Sequence, residues 1–121
     1  MEQSEADILP LKAMPWRRWP LGFTATSTAD DVVKMKRGFE PRDMDDRWRI
    51  QYERNWVRVH RSWTGHCIYA FQLQEEAQGC SVARSWVNRH RRQYRGSSLD
   101  EERQRLRSLI NRLLLNNEGS P

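Results

Sequence analysis

Arg54-Asn55-Trp56-Val57-Arg58-Val59-His60-Arg61-Ser62-Trp63-Thr64-Gly65-His66-Cys67-Ile68-Tyr69 is a run of aromatic, basic and hydroxyl residues broken once, at Thr64-Gly65. Upstream, Trp48, Ile50 and Tyr52 alternate with Arg47, Arg49, Gln51 and Glu53, the period of a strand with one buried face. A two-residue turn at Arg54-Asn55 sets Glu53 opposite Trp56, Tyr52 opposite Val57 and Ile50 opposite Val59, so apolar meets apolar. Asn tolerates the positive φ such a turn needs; Arg is less suited to it. At the second turn, a two-residue loop would set Val59 against Ala70 and mix the faces. A three-residue loop, Trp63-Thr64-Gly65, sets Val59 against Tyr69 and Val57 against Phe71, with Gly65 at the left-handed position.

Working outward, the third strand covers His66 to Gln74 with Cys67, Tyr69, Phe71 and Leu73 inward. A fourth lies near 80–88. Its apolar area assigns Val82 and Trp86 inward, with Ala83 and Val87 as the alternative. Arg89 to Arg95 reads as a basic linker. Ser98-Leu99-Asp100-Glu101 is a capping box opening an amphipathic helix of about 18 residues, with Leu99, Leu106, Ile110 and Leu113 on one stripe beside Leu109 and Leu114. Before the strands, Ser27 with Asp30 caps a short helix over 28–37, ending at Gly38. Earlier still, Pro10, Pro15 and Pro20 punctuate an apolar arm carrying Ile8, Leu9, Leu11, Trp16 and Trp19, read as irregular chain laid over the domain or a partner.

The expected fold is thus α+β: a four-stranded antiparallel meander, order 1-2-3-4, with the C-terminal helix on one face, preceded by a short helix and an irregular arm. The expected division is 1–42 for arm and short helix, 43–117 for the meander and helix, and 118–121 for a tail. A chain of 121 residues has room for one core, which six Trp, three Tyr and three Phe can fill. No window reaches the roughly 20 apolar residues that span a bilayer, and the acidic start is unlike a secretory leader. With two cysteines, Cys67 and Cys80, and no export signal, a cytoplasmic protein with reduced thiols is expected.

Met44-Asp45-Asp46-Arg47-Trp48, His60 to Gly65 with Ile68-Tyr69, Trp86-Val87-Asn88-Arg89 and Leu113-Leu114-Leu115 resemble a group of small bacterial proteins to which no activity is attached. The resemblance covers about 43–116 and implies that this stretch is the folding unit. It implies no mechanism.

Charge narrows the function classes. Residues 47–95 hold ten Arg and no Lys against three Glu, a net of +7 where the whole chain carries +5. A basic sheet face attracts acidic proteins, phosphate or nucleic acid. The leading expectation is a non-enzymatic module that binds an acidic protein through this face and the Trp-bearing arm; a nucleic-acid or nucleotide binder on the same face is the alternative. Arg49, Arg58, His60, Arg61, Trp63 and Thr64 are the candidate contacts. Arg61 points to the apolar side, to pair with Asp45 or Asp46, to snorkel to the sheet edge, or to meet an anionic ligand beside Trp63 and Thr64. A third reading is a small hydrolase or transferase built on His60, Ser62 and His66, which the three-residue loop brings together on the outward face. No acidic residue orients that trio, and neither metal nor cofactor is expected.

Overall fold

The structure is a computed structural model and describes residues 11–115. Ile8, Leu9 and Pro10 of the arm, the last residues of the expected helix and domain at 116–117, and the 118–121 tail lie outside the described residues. Six strands form one antiparallel sheet: β1 (Arg18–Pro20), β2 (Thr26–Ser27), β3 (Trp48–Glu53), β4 (Trp56–Arg61), β5 (Cys67–Glu76) and β6 (Gly79–Asn88). Helix α1 (Ala29–Arg37) follows β2, and α2 (Leu99–Leu109) runs on as a π-helical segment, Ile110–Leu115.

The four strands read from the sequence are present as consecutive hairpins, but the sheet does not end with them. Its order is β1-β6-β5-β4-β3, with β2 also on β6. Part of the arm read as irregular therefore pairs with β6, Trp19 opposite Val87 and Thr26 opposite Ser81. Proline tolerates this because β1 is an edge strand and Pro20 ends it. Between the two short strands, Ser85 accepts the Leu21 N–H with its carbonyl and the Phe23 N–H with its hydroxyl, at 3.0 and 2.8 Å. Leu21 and Phe23 are thereby driven into the core.

The β3–β4 register follows the apolar matching, with Ile50 opposite Val59, Tyr52 opposite Val57 and Glu53 opposite Trp56. Arg54 and Asn55 both take positive φ, 52° and 72°, as a primed two-residue turn requires. Between β4 and β5, Val59 faces Tyr69 and Val57 faces Phe71 as expected. A bulge after Val59 then shifts the register so that His60 pairs with Cys67, and the Arg61 N–H donates to the His66 carbonyl at 2.9 Å. The loop thus has four residues, Ser62 to Gly65, not three, and Ser62 does not face His66. Gly65 keeps the left-handed conformation, φ 80°.

A second bulge sits where Gln72 faces Arg84 and Leu73 faces Val82, leaving Ala83 extra. It reverses the phase of β6, so Val82 is inward before it and Ser85 and Val87 after it; Trp86 is turned out. Neither constant alternation describes the strand, because a single extra residue exchanges the faces.

Both helices carry the capping boxes their termini need. That of α1 uses Thr28 and Asp31, one residue later than Ser27 and Asp30. That of α2 uses Ser98 and Glu101. Leu106, Leu109, Ile110 and Leu114 join Ile50, Val57, Val59, Tyr69 and Phe71 in one core cluster, with Val32 and Met35 of α1 closing its side. Among the described residues no helix is long and apolar enough to cross a membrane.

Candidate functional site

The expected sheet-face residues are engaged with the chain itself. Arg49 Nε lies 2.9 Å from Glu40 Oε1, and Arg58 lies 4.0 Å from Glu53 and over the Trp56 ring. His60, expected outward and solvated, is only 2% exposed, because the four-residue loop curls back over it. Its Nδ1–H donates to the Gly65 carbonyl at 3.0 Å, and burial holds its pKa below the ordinary 6.5. Ser62 Oγ donates to the Asp46 carbonyl at 2.7 Å. His60, Ser62 and His66 therefore make no hydroxyl–imidazole contact. Cys67 and Cys80 are free and buried, and burial pushes the Cys67 thiol up to about 12. Among the described residues no group of three or more His, Cys, Asp or Glu side chains is placed to hold a metal ion.

Arg61 is different. Its guanidinium carbon lies 4.6 Å from the Trp48 ring centroid and 5.7 Å from that of Tyr94, a cation held between two π faces. Neither Asp45 nor Asp46 pairs with it. Asp46 binds Arg42 through both oxygens, at 2.9 and 3.1 Å, which pulls its pKa down to about 2. No carboxylate among the described residues pairs with Arg61, Arg47 or Arg95. These three line a cleft of about 420 Å³ at the end of the sheet, completed by Trp63, Thr64, Gln93 and Tyr94. Its lining holds three cations and no acid. Trp63 stands at this cleft 59% exposed, its Nε1–H donating to the Met44 carbonyl at 3.2 Å.

Beneath the cleft, a buried carboxylate fixes its wall. Glu102 is fully buried and accepts the Tyr69 and Tyr94 hydroxyls on Oε1, each at 2.6 Å. On Oε2 it accepts the Ser97 N–H at 2.9 Å and lies 3.5 Å from Arg89. Arg105 approaches Oε1 at 3.2 Å and also donates to the Tyr94 hydroxyl. A buried charge persists only when answered in this way. Burial, reinforced by the carboxylate, raises both phenol pKa values, so Tyr69 and Tyr94 remain donors. Gly96 makes room for this network: a Cβ there would lie 2.3 Å from Arg89 Nη1 and 2.9 Å from Glu102 Oε2.

The sequence brought Arg61, Trp63 and Thr64 together. It missed Arg47, read only as an outward residue at the start of the first strand, and Gln93, Tyr94 and Arg95, which come from the segment read as a basic linker, and it missed Glu102. The helical spacing held one signal: Glu102 falls between Leu99 and Leu106 on the apolar stripe, where an acid needs a buried partner. Comparison with known protein families, curated proteins and solved structures returns no match.

Proposed function

We propose that this protein is a non-enzymatic binding module that holds a phosphate group in the sheet-end cleft, with an attached ring stacked on Trp63. The supporting observation is Arg61: a half-buried guanidinium, oriented by Trp48 and Tyr94, without a carboxylate among the described residues. Guanidinium forks match phosphate oxygens, and three of them around one concave space suit a dianion better than a flat protein surface. An exposed indole beside cations is the arrangement that stacks bases. The phosphate belongs either to a free nucleotide or to a single-stranded nucleic acid running toward the exposed Arg91 and Arg92.

Tryptophan fluorescence with adenosine monophosphate, a random single-stranded oligonucleotide and polyglutamate separates the sources at low salt. Saturable binding of the monophosphate alone identifies a nucleotide site. Preference for the oligonucleotide identifies a nucleic-acid site; the double variant Arg61→Ala/Arg95→Ala should then flatten its log–log salt slope by about 1.4, roughly 0.7 for each phosphate no longer neutralised. Binding of polyglutamate alone would overturn the phosphate reading in favour of an acidic protein partner, for which exposed Trp16 and Trp19 would supply further contact.

A further inference from the structure

β5 runs from the arginine cleft toward a second concavity at its other end, a recess of about 250 Å³ between the sheet, α1 and the π segment. Its inner wall is apolar: Phe23, Met35, Phe71, Leu73, Cys80 and Ile110. Two departures from regular geometry border it. The π segment contributes Ile110, Asn111 and Leu115, and the β5–β6 bulge contributes Leu73 and Val82. A π segment widens the helix, and a bulge re-aims strand side chains; both are enriched at functional sites. Here they open the same space.

The recess also has one charged member. Arg107 lies 5.2 Å over the Phe23 ring, and its Nη2 and Nη1 donate to the Thr24 carbonyl at 3.2 and 3.5 Å. No carboxylate among the described residues pairs with it, and its side chain is exposed. The nearest acidic residues of the β5–β6 hairpin are committed elsewhere: Glu75 lies 3.9 Å from Lys36, and Glu76 accepts from Ser81 Oγ at 2.9 Å. An apolar recess with a single unanswered guanidinium is complementary to an apolar body bearing one negative charge.

We propose that this recess is a binding site for a small amphipathic carboxylic acid, its tail between α1 and the π segment and its carboxylate on the Arg107 fork. At roughly 30 Å³ per water-sized group, the space takes a tail of about eight heavy atoms. The site is independent of the phosphate cleft and involves no covalent step.

Octanoate is the probe and octanol its uncharged control, followed by methyl NMR shifts of Met35 and Ile110 and by calorimetry. Octanoate is expected to shift both methyls saturably. Arg107→Gln should weaken it about tenfold, the order of one charged hydrogen bond. Val82→Trp, which fills the recess from its half-exposed rim, should abolish binding while the chain stays folded, and Arg61→Ala should leave binding unchanged. The inference is overturned if octanoate leaves Met35 unshifted in wild type. It is equally overturned if octanol binds as well as octanoate and Arg107→Gln has no effect, or if Arg61→Ala weakens octanoate as much as Arg107→Gln does.

Discussion

The Arg61 guanidinium rests 4.6 Å above the Trp48 ring, and Trp48 in turn stacks on Tyr69 with centroids 6.2 Å apart and planes inclined by 30°. Tyr69 meets the edge of Tyr94, and both phenols end on Glu102. The cation exposed to the cleft and the carboxylate buried under it are thus joined through aromatic rings rather than through a direct ion pair.

Arg61→Ala should consequently cost only about 1–2 kcal/mol, the scale of a cation–π contact with its packed methylenes. Breaking a buried ion pair would cost about 3–5 kcal/mol. Urea denaturation distinguishes the two. Phosphate binding should vanish in the same variant, and Arg61→Lys, which keeps the charge but not the planar fork, should restore it only in part.

Trp63→Ala separates binding from folding. Its side chain is largely exposed, so stability should stay within about 0.5 kcal/mol of wild type. Affinity for a base-bearing ligand should fall by about 1–3 kcal/mol, the worth of one stacked base, while inorganic phosphate is held as before.

Glu102→Ala should be the most damaging single change near the site. It strands two phenols, the Ser97 N–H and the Arg89 and Arg105 guanidiniums, at an expected cost of about 3–5 kcal/mol. A melting temperature close to wild type would falsify the view that this carboxylate organises the cleft.

His60 gives stability a pH dependence of known sign. Its folded pKa lies below 6.5 because it is buried, so at mildly acidic pH the unfolded chain takes up a proton that the folded chain refuses. Its contribution is full above about pH 6.5 and is lost as the pH falls through the folded pKa. His66, also lowered by burial, acts in the same direction. Urea midpoints taken on both sides of that value should decline toward acid, less steeply in His60→Gln.

Gly65→Val places a β-branched residue at φ 80° and should cost about 1–3 kcal/mol. Because the Gly65 carbonyl holds both His60 Nδ1 and the Lys12 N–H, the amide of Lys12 should exchange faster in this variant.

Alternation, capping and turn chemistry are local, and where they act alone the sequence was readable. Ile50 opposite Val59, the turn at Arg54-Asn55 and the Ser98-Glu101 box follow from neighbours within a few residues. The two bulges could not be read in this way. An extra residue at Ile68 or at Ala83 leaves composition unchanged yet alters what faces what, which separated Ser62 from His66 and turned Trp86 outward. The β1 pairing was hidden by proline, whose exclusion from central strands does not extend to an edge. Of the site, Arg61 with Trp63 and Thr64 was legible and the opposite wall was not, because Tyr94 and Arg95 reach the cleft only once β6 has returned the chain to that end of the sheet.

The pairing of β1 and β2 with β6 bears on how the molecule behaves in a concentrated solution. An open sheet margin with a long row of unpaired N–H and carbonyl groups recruits strands from other chains. Here one margin ends in the three-residue β1, which begins at Arg18 after Arg17 and is closed by Pro20. At the other, Phe39 exchanges both backbone hydrogen bonds with Ile50, each 2.9 Å, in the middle of β3. Among the described residues neither side leaves an uninterrupted template for edge-to-edge stacking into fibrils.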